Sequence, residues 1–103
     1  MIIRIVKMTF QPEKVKAFQE IFDNSQALIL AMRGCQHLEL WRQTASGNIL
    51  FTYSHWNSEA DLDHYRYSEL FKTTWARTKV LFSAKAEAWS VEQVTTAGEP
   101  DTE

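Results

Sequence analysis

Residue types that stabilise or equip small cofactor-binding domains are scarce in this chain. Its 103 residues include one cysteine, three histidines, three glycines and two prolines. The single Cys35 cannot form an intramolecular disulfide, and no Cys/His spacing matches a zinc site. A phosphate-binding glycine loop and a nucleophile triad are also lacking. We therefore expect a reducing compartment, a buried Cys35, and no metal or other cofactor.

The chain also lacks strong charge of one sign and long apolar runs. Its formal net charge is −2, and Glu99, Asp101 and Glu103 lie in the terminal segment, so the rest is nearly neutral. Nucleic acid and anionic membranes bind proteins through a basic field, which is missing here. No segment approaches the ~20 apolar residues of a membrane span, and the N-terminal run has no cleavage-site pattern. We expect a cytoplasmic protein with no nucleic-acid or membrane partner.

Apolar residues, by contrast, are plentiful. Hydrophobic residues make up 45% of the chain and aromatic residues 13%, which suffices for the core of one domain. β-Branched residues predict a strand over 2–10, and Pro12 with Glu13 opens an amphipathic helix that ends near Gly34. Strands over 37–43 and 49–56 flank a turn and form a hairpin.

The second half of the chain predicts a broken helix and a last strand. Asn57 or Ser58 can cap the first helical segment, and Ser68 can cap the second. A strand over 84–94 precedes a Gly/Pro/acidic tail, 95–103, which we expect to be disordered. The order βαββαβ is typical of a ferredoxin-like α+β fold, with an antiparallel four-stranded sheet and helices on one face. We therefore predict one domain over 1–94.

Both faces of this predicted sheet carry apolar side chains. In the first strand Ile3 and Ile5 oppose Ile2, Val6 and Met8, and in the third Phe51 and Tyr53 oppose Leu50 and Trp56. A face turned away from the helices would be wet in a monomer and would carry polar residues. We expect a second copy to cover that face, so that two sheets stack in a homodimer.

Several motifs resemble the antibiotic biosynthesis monooxygenase (ABM) family. They are Ile3-Arg4-Ile5-Val6-Lys7-Met8, Ser54-His55-Trp56-Asn57-Ser58 and Ser68-Glu69-Leu70-Phe71-Lys72, and the likeness spans about residues 1–94. The resemblance implies a dimeric α+β barrel of two ferredoxin-like subunits, each with a cavity between sheet and helices. It also implies that some relatives oxygenate polycyclic phenols without metal or flavin, whereas others cleave heme.

Heme-degrading relatives use an asparagine on the first strand, a tryptophan on the middle helix and an axial histidine. The matching positions here hold Val6 or Lys7, Tyr65, and Trp75. An indole N–H is only a hydrogen-bond donor and cannot replace an imidazole ligand of iron. We therefore disfavour heme binding or degradation.

Cofactor-free oxygenation needs a group that helps to ionise an electron-rich phenol, and a dry pocket around the ring. His55 is the candidate base, because it titrates near neutrality at a strand end; a histidine bonded only to backbone or water is the alternative. Tyr65 is the second catalytic candidate, since its phenol could donate to a bound carbonyl or phenolate. Trp75 could stack on a substrate ring. Tyr65 and Trp75 could equally fill the core.

Phe71, Tyr53 and Asn57 are further substrate-binding candidates. The strand register decides which face Tyr53 occupies, and helix capping explains Asn57 equally well. The leading prediction is cofactor-independent oxygenation of a small aromatic or quinone-like molecule. The alternative is a non-catalytic small-molecule binding or sensing domain of the same fold.

Arg4 is the one charged residue amid the apolar positions of the first strand that invites a functional interpretation. It could bind an anion, or it could pair with Glu39 or Glu87 across the sheet. We expect the ion pair. His37 and His64 are expected to be solvated.

Overall fold

A computed structural model describes residues 1–98 and gives the element order expected from the sequence. The elements are β1 (Ile2–Thr9), a 3₁₀ turn (Pro12–Lys14), α1 (Val15–Leu30), β2 (Cys35–Arg42), β3 (Ile49–Trp56), α2 (Glu59–Arg66), α3 (Glu69–Lys79) and β4 (Glu87–Val91). Residues 95–98 carry no helix or strand, and the rest of the predicted tail, 99–103, lies outside the described residues.

The four strands form one antiparallel sheet in the order β2-β3-β1-β4. In its register Arg4 lies opposite Ser54 and Ser90, whereas Ile5 lies opposite Tyr53 and Trp89. Side chains alternate between the two faces of a strand, so Arg4 shares the helix-covered face with Val6 and Met8. This is the predicted ferredoxin-like α+β fold.

The side of the sheet that points away from the helices is here called the outer face. Its apolar members are Ile3, Ile5, Trp41, Phe51, Tyr53 and Trp89, which alternate with the helix-side residues in the observed register. Trp41 is 40% exposed and Trp89 is 44% exposed. The prediction that apolar residues occupy both faces is confirmed.

Serine caps divide the helical region after β3 into two segments. Ser58 accepts a hydrogen bond from the backbone N–H of Asp61 at 3.2 Å, and Ser68 accepts one from the N–H of Phe71 at 3.1 Å. Of the two predicted caps for α2, Ser58 is therefore the one used. Within residues 1–98 no helix is long and apolar enough to cross a membrane.

The turn from α1 into β2 also fixes the start of α2. Gly34 has a φ of +83°, which an L side chain rarely adopts, and its carbonyl accepts a 2.8 Å hydrogen bond from the backbone N–H of Asn57. An ideal Cβ at Gly34 would overlap the side chain of Asp61 in the first turn of α2. Arg33 pairs with the same Asp61 at 3.3 Å.

The buried residues fall into two clusters between the sheet and the helices. One contains Met8, Phe10, Phe18, Phe22 and Leu50, and the other contains Cys35, Trp56 and Leu62. Cys35 is thus buried as expected, and that burial raises the pKa of its thiol.

The predicted bounds of two strands, β2 and β4, need correction. β2 begins at Cys35 rather than at position 37, with an irregularity in its pairing to β3 between Cys35 and His37. β4 spans only Glu87–Val91 instead of 84–94, because it lies at the edge of the sheet and pairs with β1 alone, between Lys7 and Ile3.

Candidate functional site

A cavity of about 330 Å³ lies between the helix-side face of the sheet and the helices. This is near the lower end of the roughly 300–1,000 Å³ range of small-molecule sites, so it suits a molecule of one or two fused rings. Its walls are mostly apolar and include Val6, Met8, Phe18, Phe22, Phe71 and Trp75. Such walls exclude water from a bound ring.

Tyr65, on α2, is one of the residues that line this cavity. Its ring stacks on Trp56 with the centroids 5.1 Å apart and meets Phe71 edge-on at 5.2 Å. Among residues 1–98, no group accepts a hydrogen bond from its hydroxyl. Burial raises the pKa of Tyr65, so the phenol stays protonated at neutral pH. A bound molecule can therefore accept a hydrogen bond from this hydroxyl.

Phe71 and Trp75, both on α3, line the cavity as a stacked pair. Their ring centroids are 5.8 Å apart and their planes differ by 10°. Trp75 also meets Phe82 edge-on, with the ring centroids 5.5 Å apart, and this contact holds the Trp75 ring in place. The two rings form a wall and leave the cavity open. The predicted positions of Tyr65, Phe71 and Trp75 thus converge on one site.

Trp56 is a lining residue that the sequence interpretation did not single out for the site. It is 1% exposed, and its indole Nε1 donates to Ser54 Oγ at 2.9 Å. This bond satisfies the indole and holds the ring flat beneath Tyr65. The alternation of side chains along β3 could have predicted this position. Trp56 lies on the same face of the strand as Leu50, one of the most deeply buried residues.

His55 and Tyr53 lie on the outer face and do not line the cavity. They pair with β1 residues that point away from the helices, namely Ile3 and Ile5. His55 Nε2 is 2.8 Å from Tyr53 Oη, so the two side chains bond to each other. The sheet separates His55 from any ligand in the cavity, and its predicted role as a base acting there has no geometric support.

Glu39 organises the neighbouring part of the outer face. It accepts a 2.5 Å hydrogen bond from His37 Nε2 and a 2.6 Å bond from Trp41 Nε1. The hydrogen bond from His37 and, to a smaller extent, the bond from Trp41 hold the pKa of Glu39 below its usual range. Trp41 in turn stacks on Tyr53 with the centroids 4.5 Å apart. His37 is therefore engaged with a carboxylate rather than only solvated.

Asn57 and His64 are exposed and do not line the cavity. Asn57 takes part in the fold through its backbone bond to Gly34. His64 lies on the solvent side of α2, as expected. In the part of the chain that the structure describes, no cluster of three or more His, Cys, Asp or Glu side chains could hold a metal ion.

Arg4 is the clearest departure from the sequence-based expectation. Its guanidinium lines the cavity and donates to Ser90 Oγ at 3.0 Å. Within residues 1–98 it forms no ion pair with a carboxylate, so the predicted pair with Glu39 or Glu87 is wrong. Glu39 faces the opposite side of the sheet. Glu87 pairs with Lys7 at the start of β4 and is among the residues that line the cavity, but it forms no ion pair with Arg4.

Arg66, at the end of α2, is a second cationic residue of the cavity. It pairs with Asp63 at 3.5 Å on the same helix. Burial, together with the like charge of Arg66, lowers the pKa of Arg4, and Asp63 and Glu59 offset only part of that effect. The cavity therefore joins an apolar interior to a charged rim, which carries Arg4 and Arg66 together with Glu87.

Comparison with known proteins places this architecture in a family. The family model for antibiotic biosynthesis monooxygenase matches residues 1–77. The chain therefore belongs to the antibiotic biosynthesis monooxygenase family. No curated protein matches it with significant sequence similarity.

Solved structures share the fold at low sequence identity. Rv0793 from Mycobacterium tuberculosis is 20% identical with a TM-score of 0.83, over 94% of this chain and 98% of the other. A conserved protein from Methanosarcina mazei Go1 is 23% identical with a TM-score of 0.85, over 91% and 94%. A candidate antibiotic biosynthesis monooxygenase from Caulobacter crescentus CB15 is 19% identical with a TM-score of 0.84, over 91% and 90%. These likenesses establish the fold alone.

Proposed function

We propose that this protein is a cofactor-independent monooxygenase that oxygenates a small aromatic or quinone-like molecule in the cavity between sheet and helices. The observation that carries the proposal is Tyr65, which lines a mostly apolar, aromatic-walled cavity and whose hydroxyl has no acceptor among residues 1–98. An apolar wall binds the ring, and a fixed donor recognises the oxygen at its edge.

The chemistry draws its electrons from the substrate. A phenol ionised at its hydroxyl transfers one electron to O₂, and the substrate radical then combines with superoxide at a ring carbon. The peroxide anion that forms takes up a proton and then loses water. This water consists of the distal oxygen, that proton and the hydrogen of the ring carbon. The other oxygen atom remains in the product as a carbonyl.

The residues around the cavity would act by stabilising the ionised substrate. A hydrogen bond to an anion is stronger than one to the neutral phenol, so the Tyr65 hydroxyl lowers the free energy of ionisation in the site. Trp75 and Phe71 hold the ring, and the apolar walls keep water from the radical pair. The described lining residues include no histidine, and their one carboxylate belongs to Glu87, so the proton passes to Glu87, to solvent or to a group on the substrate.

We also propose that the protein is a homodimer that stacks the two outer faces. Exposed aromatic patches of this kind are unusual on monomers, and twofold dimers are the commonest soluble oligomers. The face carries charges of both signs, Lys7 and Glu39, which a twofold copy can match. Ile5→Glu, at the centre of the face, should give a monomer by light scattering. The control Leu28→Glu, at an exposed position of α1, should stay dimeric.

Oxygen uptake with benzene and naphthalene hydroquinones and with naphthols tests the proposed function. Thr74 lines the cavity, whereas its neighbour Thr73 is exposed on the same helix. Thr74→Trp should fill the cavity and abolish uptake, and Thr73→Trp should leave it unchanged. Uptake that survives Thr74→Trp in a folded variant would place the reaction elsewhere.

A non-catalytic binding or sensing domain is the second candidate. The position of His55 favours it, because the base expected from the sequence lies across the sheet from the cavity. Saturable quenching of tryptophan fluorescence by the same compounds, without oxygen uptake, would select this function. Heme does not fit the residues present, because Trp75 occupies the position at which heme-degrading relatives have their axial histidine. Titration with hemin should leave the Soret band unshifted.

A further inference from the structure

Arg4 is a cation of the cavity that forms no ion pair with a carboxylate of residues 1–98. Its contact with Ser90 Oγ uses one of five guanidinium donors. Partly buried guanidinium groups are costly to desolvate unless an anion or several acceptors compensate them. The remaining donors of Arg4 are therefore available to a ligand.

Arg66 strengthens the case for an anionic ligand. Arg66 lines the same cavity as Arg4, and its ion-pair partner, Asp63, lies on the same helix, α2. Two like charges at one rim repel each other, and a ligand anion between them would turn that repulsion into two favourable contacts. Glu87 lines the same cavity, and Glu59 and Asp63 also act on Arg4, but none of the three forms an ion pair with it.

The position of the two arginines relative to the apolar wall defines the shape of the ligand. Arg4 lies next to β4, all of whose residues are exposed, so this is the solvent side of the cavity. Phe18, Phe22 and Trp75 line the interior. A molecule that fills both parts must have a flat apolar body and an anionic group at one end.

We infer that the substrate is an aromatic carboxylic acid, whose carboxylate binds Arg4, with Arg66 beside it, while its ring lies between Phe71–Trp75 and the sheet. A planar guanidinium binds a carboxylate through two parallel hydrogen bonds, which also fixes the direction of the ring. The inference rests on the proposed function, because it names the substrate class of the same site. The carboxylate orients the ring, and Tyr65 acts on its oxygen.

Binding of two matched ligands tests the inference without turnover. 2-Naphthoate and 2-naphthamide have nearly the same shape but differ in charge, and both can be titrated by calorimetry. The protein should bind naphthoate at least about 10-fold more tightly, the gain expected of a charge-assisted bidentate contact. Arg4→Gln should remove this preference and leave the affinity for naphthamide unchanged, while Arg4→Lys should keep part of it.

Arg33→Gln is the matched control, because Arg33 pairs with Asp61 away from the cavity. It should leave both affinities unchanged. Equal affinity of the two ligands in the unaltered protein, failure of both to bind, or a preference that survives in Arg4→Gln would overturn the inference. Thermal melts of each variant establish that the losses do not come from unfolding.

Oxygen uptake separates this inference from the proposed function. 2,5-Dihydroxybenzoate should be oxidised with a lower KM than 2,5-dihydroxybenzamide, and Arg4→Gln should raise KM for the acid alone. Equal KM values for the acid and the amide would refute carboxylate recognition and leave the monooxygenase proposal standing. Selective naphthoate binding without uptake of oxygen by any compound would refute the monooxygenase proposal and leave carboxylate recognition standing.

Discussion

Replacing Tyr65 by phenylalanine should damage function without damaging the fold. The substitution removes one hydroxyl, which has no acceptor among residues 1–98, and keeps the ring that stacks on Trp56 and meets Phe71. We therefore expect the free energy of unfolding to change by less than about 0.5 kcal/mol, the range of substitutions that break no contact.

The expected loss of activity follows from the bond that Tyr65 makes in the ionised complex. A hydrogen bond to a charged acceptor contributes about 1.5–3 kcal/mol, so kcat/KM in Tyr65→Phe should fall by roughly 10- to 150-fold. The pKa of Tyr65 is raised by burial, so the hydroxyl remains a donor while the substrate ionises. Activity should therefore rise with pH as the substrate loses its proton, with no alkaline fall due to Tyr65.

Tyr53→Phe is the matched control on the other side of the sheet. It removes the hydroxyl that bonds to His55 on the outer face and leaves the cavity untouched. Oxygen uptake under steady-state conditions and thermal melts should be measured for both variants. A loss of activity in Tyr53→Phe with none in Tyr65→Phe would refute the assignment of the site to the helix side.

Two further predictions concern the framework that holds the site. Gly47→Ala should lower the free energy of unfolding by about 1 kcal/mol, because Gly47 has a φ of +79° and open space around it. Gly34→Ala should lower it clearly more, because the new Cβ would meet the side chain of Asp61. Equal losses in denaturant titrations would contradict this prediction. Cys35, whose pKa is raised by burial, should react with a thiol reagent at neutral pH far more slowly than in the unfolded chain, and equal rates would show that it is accessible.

Local patterns were sufficient to predict the element order. The caps at Ser58 and Ser68 and the strand alternation of Ile3 and Ile5 against Val6 and Met8 need only neighbouring residues, and all of them appear in the structure. The family resemblance then placed a cavity between sheet and helices. Tyr65 lines that cavity as predicted.

The side of the sheet on which His55 lies could not be predicted in the same way. The sequence shows that His55 shares a face with Tyr53, but both faces of the sheet are apolar, so the pattern does not indicate which one the helices cover. The packing of Phe18 and Phe22 against Met8 and Leu50 decides the matter, and this is a long-range property. The unpaired state of Arg4 has the same origin, since it depends on where Glu39 points.

Reaction in ¹⁸O₂ is the most direct test of the central claim that the cavity supports oxygenation of an aromatic ring without a cofactor. The purified protein, treated with a chelator, should convert the best substrate of the panel into a carbonyl product that carries one ¹⁸O atom by mass spectrometry. Thr74→Trp should give none. A product without label, accompanied by hydrogen peroxide, or binding with no turnover of any compound, would contradict the account.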